Sequence, residues 1–459
     1  MLAVCIVLLG CGRERMREII LHGGQVVTRR SVRPADIIIA GERIQAIELP
    51  RRRATGRVID ARGCYILPGF IDVHAHGAQL FEFTGGYFRP RTQDFDEGDD
   101  AWRRGLPAYA AFLARTGVTS ACVATWAASV ETLARVLGFL REYLNSGRNG
   151  RDGARFLGGN LEGTFINPRM CGAQNPRFIL PPEPRTLDAI NRAGVLRMAN
   201  IVPDAGEAAF HLIEHAVTRG IVPGFGHTDA TATQVCEGVQ RGLRYCVHFL
   251  NGPIGGSYKP FDGGGAVEGV LATRDLYVEL ILDLCHVSPA YVRAVIARKG
   301  SDRIMAVTDQ MFATGATGVS AFTLGGIRGV ISDDGRYVRV AGAPAGVTPN
   351  KRLTLFSSVL TMDVAFGNLL SLLTRRVAGV WTPWHPAMPF RRALTAAARM
   401  CATNAATMLG LGGETGSIAR GKRADLLVGR ITGRPGKYRL HVKRVYVAGR
   451  EVTAPDGVP

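Results

Sequence analysis

An apolar run, Pro68-Gly69-Phe70-Ile71-Asp72-Val73, ends in His74-Ala75-His76. Residues i and i+2 of a strand face the same side, so the two imidazoles can reach one ion. The competing reading is two unrelated surface histidines. Glu162 closes a second apolar run, Phe156 to Leu161. A carboxylate at the end of a buried strand needs a metal or a cationic partner, because stranding its charge in low dielectric is costly. An ion pair with one of the many arginines is the alternative. His227, in Gly224-Phe225-Gly226-His227-Thr228-Asp229, and His248, in Cys246-Val247-His248-Phe249-Leu250-Asn251, each end a further strand-like run. Neutral imidazole suits zinc and other first-row divalent ions, and a Glu with two His leaves the open position that catalysis needs. Either histidine alone would read as a hydrogen-bonded core residue. Asp309 ends Ala306-Val307-Thr308-Asp309. There it can draw a proton from an ion-activated water and return it to a leaving group, or it can simply cap a helix. His211 and His215 are four apart but lack the Glu of a His-Glu-x-x-His motif, and they read as one face of an outer helix. His22, His385 and His441 have no motif around them.

These side chains are far apart in the chain, so the elements must gather them. Eight β-type runs can be counted: Ile66 to His76, Val118 to Thr125, Phe156 to Glu162, Val195 to Val202, Val222 to His227, Tyr245 to Phe249, Leu276 to His286 and Ile304 to Asp309. Helical candidates fall between them, among them Val130 to Leu144, Glu207 to Arg219, Thr233 to Arg241 and Pro289 to Lys299, with apolar residues at three- and four-residue spacing. Eight strand-helix units predict an α/β fold closed as a (β/α)8 barrel, whose chemistry sits at the carboxyl ends of the strands. The polar candidates His74, His76, Glu162, His227, His248, His286 and Asp309 all stand at such ends. Short β-rich pieces at both termini predict a small β-sandwich closed by the two ends. The expected domains are an extension over 1–15, the sandwich from 16–67 and 412–459, and the barrel over 68–411.

With 459 residues, 46% of them hydrophobic and 20% charged, the chain can bury a large core. Lys and Arg exceed Asp and Glu by 18, a field that attracts anions. The basic residues come in ones, twos and threes without the aromatic interleaving of a nucleic-acid platform, so no nucleic-acid partner is expected. Nine cysteines with no Cys-x-x-Cys pair argue against a disulfide framework or a thiolate zinc site. Cys122, Cys246 and Cys285 read as small buried side chains. The apolar start ends in Leu8-Leu9-Gly10-Cys11, like a lipoprotein cleavage box, yet no positive charge precedes it and Met16 offers a second start. A cytoplasmic location is expected, with lipid anchoring through Cys11, and hence membrane association, as the alternative.

In order and spacing the motifs resemble N-acetylglucosamine-6-phosphate deacetylases of the amidohydrolase superfamily over nearly the whole chain from Met16. The likeness is carried by Pro68 to Gly77, Gly117 to Thr119, Glu162 to Phe165, Gly226 to Ala230, His248 to Asn251, Asp283 to Val287, Val307 to Asp309, Leu360 to Ala365 and Gly416 to Leu427. It implies that Glu162, His227 and His248 hold a main metal ion and that His74 and His76 hold a second in binuclear members. Zinc is the first expectation, as one or two ions, with iron, cobalt or manganese as alternatives. It also implies that Asp309 is the general acid and base. By the same likeness His286, Asn251 and the backbone of Gly252 grip the sugar phosphate or its hydroxyls, in a homodimer whose partner subunit adds an arginine.

The sequence departs from that family where Gln174 replaces a histidine that polarises the acetyl carbonyl. Lys259 stands for the phosphate-clamping arginine and loses its bidentate geometry. Thr164 replaces a proline, and Phe249-Leu250 inverts a pair. The stretches 79–106 and 374–389 are additional. The expected reaction converts N-acetylglucosamine-6-phosphate to glucosamine-6-phosphate and acetate, with an unphosphorylated or epimeric amino sugar as the alternative substrate. The rivals are an amidohydrolase for a cyclic or other N-acyl amide, although no lysine occupies a strand end as in the carbamylated relatives, and a non-catalytic homologue, for which Gln174 is the support.

Overall fold

The protein is represented by a computed structural model in which residues 18–50, 56–251, 263–341 and 354–452 are described. Cys11, the 1–15 extension, Gly252 and Lys259 lie outside the described residues.

Eight strands form one parallel sheet in sequence order. They are β1 (Phe70–Ala75), β2 (Val118–Thr125), β3 (Arg155–Phe165), β4 (Leu196–Ile201), β5 (Val222–Phe225), β6 (Tyr245–Cys246), β7 (Tyr277–Ile281) and β8 (Ile304–Val307). β1, β2 and β8 are buried along their whole length, which is why they read as continuous apolar runs without alternation. Helices follow most strands and cover the barrel. Val130–Asn145 and Ala232–Arg241 are capped by Ser129 and Thr231, whose hydroxyls accept backbone N–H bonds.

The last strand returns to the first. Asp309 N–H donates to the His74 carbonyl and His76 N–H to the Gln310 carbonyl, both at 2.8 Å. Beneath them the buried Asp72 of β1 accepts from the Thr308 hydroxyl at 2.6 Å, joining residues 236 apart in sequence. The seam of the barrel is therefore made by residues next to the predicted chemistry.

The strand ends differ from expectation in an informative way. β5, β6, β7 and β8 stop before the polar residues that were expected to close them. His227, His248 and Asp309 adopt φ of 58°, 20° and 50°, a left-handed backbone that no strand accommodates and that costs a non-glycine residue of order 1–3 kcal/mol. β3, by contrast, runs on past Glu162 to Phe165. The run from Ile66 to His76 is two strands: Tyr65–Pro68 joins the terminal sheet and Phe70–Ala75 the barrel. The break falls at Gly69, whose N–H donates to the Asp425 carbonyl, and a Cβ there would lie 2.2 Å from the Thr119 side chain.

Strands from both termini share one eight-stranded sheet, with Leu426–Arg434 antiparallel to Tyr65–Pro68 in the register Leu427 to Leu67. Leu21, Val26, Ile37, Ile66, Leu426 and Tyr446 form a core of its own beneath it. The additional stretch 79–106 folds as short antiparallel strands followed by the start of the helix Asp99–Arg115. A three-stranded sheet spanning Ala321–Val340 packs Phe322 against Phe312 and Phe356, beside the barrel mouth. In 374–389, Val377–Ala378 pairs with Trp384–His385. Cys122 and Cys246 are buried as expected, whereas Cys285 is half-exposed; no disulfide forms among the described cysteines. Among the described residues no helix is long and apolar enough to cross a membrane.

Candidate metal centre

Six buried side chains from β1, β3 and the segments just after β1, β5, β6 and β8 converge at the carboxyl end of the barrel: His74, His76, Glu162, His227, His248 and Asp309. Glu162 is the hub. Its Oε1 lies 2.8 Å from His248 Nε2, 3.3 Å from His227 Nε2 and 3.6 Å from His74 Nε2, while its Oε2 lies 3.6 Å from His76 Nε2. Among the described residues no arginine pairs with it, so the structural ion pair considered as its alternative role does not form there. Asp309 Oδ1 stands 3.1 Å from His76 Nε2 and 3.7 Å from His74 Nε2. No helix follows Asp309, which removes capping as an explanation for it.

The imidazoles are held from behind. His74 Nδ1 meets Glu279 Oε2 at 2.9 Å, His227 Nδ1 the Met170 carbonyl at 2.9 Å, and His248 Nδ1 the Asn251 carbonyl at 2.5 Å. With Nδ1 engaged, each ring turns Nε2 toward Glu162, the arrangement that fixes tautomer and direction in metal-ligating histidines. Left-handed backbone at residues 227 and 248 turns the chain sharply enough to aim those rings inward.

The electrostatics are those of a cation site. Burial pushes His74 and His76 down, but the carboxylates of Glu279, Glu162 and Asp309 outweigh it and raise both to about 9. Burial pushes Glu162 up, and the hydrogen bonds and charges of the surrounding imidazoles overcome it, holding its carboxyl well below the usual range. Asp309 is lowered against its burial in the same way. Nε2 of His74 and Nδ1 of His76 are buried without a hydrogen-bond partner, a costly state unless something else satisfies them. Two donor groups can hold an ion, Glu162–His227–His248 and His74–His76–Glu162, each with its ligand atoms within 4.8 Å of one another. Nitrogen and carboxylate donors in that proportion fit a first-row divalent metal.

A cavity of about 250 Å3 leads to these atoms, lined by His76, Glu162, His227, His248, Asp309 and Gln174 and walled by Trp126, Phe356 and Asn251. Gln174 is more constrained than its sequence position suggests. Its Oε1 accepts from Ala127 N–H at 2.6 Å and its Nε2 donates to Glu162 Oε2 at 2.6 Å, leaving one amide hydrogen for a substrate. His286 does not line the cavity; its Nδ1 is 2.6 Å from Asp283 and its Nε2 has no partner. His211 and His215 pair with Glu207 and Asp188 on an outer helix.

Sequence reasoning missed Glu279. Its Oε2 serves the His74 ring and also accepts the His248 N–H at 3.1 Å. A lone acid within the apolar strand Tyr277–Ile281 was the available signal. Trp126 and Ser357, whose hydroxyl reaches Asp309 Oδ1 at 3.3 Å, carried no such signal.

A closed parallel barrel with histidines and carboxylates gathered at the carboxyl ends of its strands defines a metal-dependent hydrolase. The Amidohydrolase family model matches residues 65–452, and the chain belongs to that family, as a hydrolytic enzyme acting on carbon–nitrogen bonds. Over 367 residues it is 26% identical to the N-acetylglucosamine-6-phosphate deacetylase of Bacillus subtilis, covering 79% of this chain and 80% of that one. An N-acetylgalactosamine-6-phosphate deacetylase of Escherichia coli O157:H7 is 28% identical over 393 residues, covering 84% of this chain and 87% of its own. A mutant of the Mycobacterium smegmatis N-acetyl-D-glucosamine-6-phosphate deacetylase, in complex with N-acetyl-D-glucosamine-6-phosphate, superposes with a TM-score of 0.75 at 26% identity over 95% of this chain and all of that one.

Proposed function

We propose that the protein removes the acetyl group from N-acetylglucosamine-6-phosphate, giving acetate and glucosamine-6-phosphate. The observation that carries this reading is the convergence of four imidazoles on one carboxylate, Glu162, with Asp309 against two of the same imidazoles, in a chain whose relatives named above are acetylated amino-sugar phosphate deacetylases.

Glu162, His227 and His248 would hold the main ion in this proposal, and His74 and His76 with Glu162 would hold a second; zinc is the first choice. A divalent cation so bound supplies Lewis-acid activation of water and carbonyl at neutral pH. The protein's own groups then have defined tasks. Asp309 Oδ1, kept anionic by the imidazoles around it, accepts the proton of the attacking water and returns it to the departing amine nitrogen. The remaining Gln174 amide hydrogen donates to the acetyl oxygen as charge develops there. Trp126 and Phe356 wall the cavity against bulk water, and Asn251 borders the sugar. Lys259 and the Gly252 backbone are assigned to the 6-phosphate, with a second subunit completing the pocket.

Acetate release from a panel of N-acetyl hexosamines tests this reading. Turnover should be fastest with N-acetylglucosamine-6-phosphate and should vanish in Glu162→Gln. The galacto epimer is the second substrate to measure, given the Escherichia coli relative. Activity on free sugars with none on phosphorylated ones would refute the phosphate assignment, and release from neither would refute the deacetylase reading.

A further inference from the structure

A larger cavity, of about 810 Å3, shares no residue with the metal-centre cavity. Its wall includes Gly300 and Ser301, just ahead of β8, so it lies toward the amino ends of the strands, away from the chemistry. Six arginines line it: Arg29 and Arg30 from a turn of the terminal sheet, Arg293 from the helix Pro289–Lys299, and Arg391, Arg392 and Arg399 around the helix Phe390–Ala398. Among the described residues no carboxylate lines it.

The partners of these arginines are all neutral. The buried Arg293 donates to the carbonyls of Leu372, Arg375 and Pro386. Arg391 donates to the Val32 carbonyl, and Arg399 to Ser301 Oγ and the Arg29 carbonyl. The side chains of Arg29, Arg30 and Arg392 make no hydrogen bond or ion pair among the described residues. Elsewhere on the surface arginines pair with acids, as Arg62 does with Asp60, Arg89 with Asp94 and Arg241 with Glu214. A concavity holding six like charges and no counter-charge repels itself until an anion enters. Guanidinium forks match phosphate oxygens two at a time, so several of them facing one space suit more than one phosphate. Val32, Ile296 and Met388 add an apolar wall, and the volume is that of a small-molecule site.

We propose that this cavity is a second ligand site, which binds a small anion carrying two or more phosphate groups and joins the terminal sheet to the barrel. Nucleoside di- and triphosphates and inorganic polyphosphate share the required chemistry. Calorimetric titration of the metal-loaded, full-length protein with inorganic tripolyphosphate and with ATP, at about 0.1 M salt, tests it. Saturable binding of either is expected, with orthophosphate at least about tenfold weaker and with a rise in melting temperature. The double variant Arg30→Glu/Arg392→Glu should weaken binding by about tenfold or more while leaving hydrolytic turnover unchanged. Arg30→Glu alone, on an exposed turn, serves if the double variant does not fold. The absence of saturation at about 1 mM, or binding indifferent to charge reversal and hence seated at the metal centre, overturns the proposal. So does reversal-sensitive binding confined to phosphatidylglycerol vesicles or to a single-stranded oligonucleotide.

Discussion

Glu162 belongs to two ligand groups at once, and the residues behind it and behind its histidines determine how well it can serve both. Gln174 tethers its Oε2, and Glu279 fixes the His74 ring and the His248 backbone. Replacing such a supporting carboxylate typically costs 10–100-fold in metal affinity. Glu279→Gln should therefore lower affinity in a competition titration with a chelator, and added metal should restore turnover. If affinity is unchanged, Glu279 does not support the site. Asp309→Asn keeps the shape but not the proton acceptor, so turnover should fall by about 10^2–10^4-fold with metal content, measured by elemental analysis, unaltered. Metal lost in parallel would instead make Asp309 mainly a ligand. The inward-facing set was readable because each member interrupts an apolar run. Glu279 interrupts an apolar run as well, but it sits inside its strand and not at the carboxyl end, where barrel chemistry is expected.

At the scale of elements, the helices Val130–Asn145, Glu207–Thr218, Ala232–Arg241 and Pro289–Lys299 follow their hydrophobic periodicity to within a residue or two, whereas the eight strands form in the expected order but several end elsewhere, β6 at Cys246 and β7 at Ile281. What periodicity could not supply was where the barrel begins. Ile66 to His76 is one unbroken apolar run, yet Gly69 divides it between two sheets because the backbone passes close over Thr119. Gly69→Ala should cost about 1–3 kcal/mol through overpacking of that contact, read from chemical denaturation, and Thr119→Ala should recover part of the loss. Equal destabilisation with and without Thr119→Ala would place the strain elsewhere. The small sheets inserted at 77–96 and 321–340 were equally illegible, since short two-sided strands carry too few residues for a period to emerge. Their aromatic contacts, such as Phe88 on Phe312 and Phe322 on Phe356, join segments remote in sequence.

The whole molecule carries an electrostatic bias that metal should reverse. His74 and His76 are raised from 6.5 to about 9 against their burial by nearby carboxylates. Without metal, the stability they confer is complete below the ordinary imidazole range and is lost as pH rises through 9. Burial raises Asp72 and Glu82 to about 7, so ionising them in the fold also opposes stability as pH rises from the carboxylate range to 7. The metal-free protein should melt progressively lower between pH 5 and 9 in calorimetry, and saturating zinc should flatten that slope because the ion takes the imidazoles deprotonated. An unchanged slope with zinc would place the titration elsewhere. The bonds from Asp309 to His74 and from Gln310 to His76 have one more implication. Catalytic competence is postponed until the polypeptide has come full circle, because the proton carrier and the first imidazole pair become neighbours only when the ring shuts. During renaturation, acetate release should therefore lag the far-ultraviolet signal.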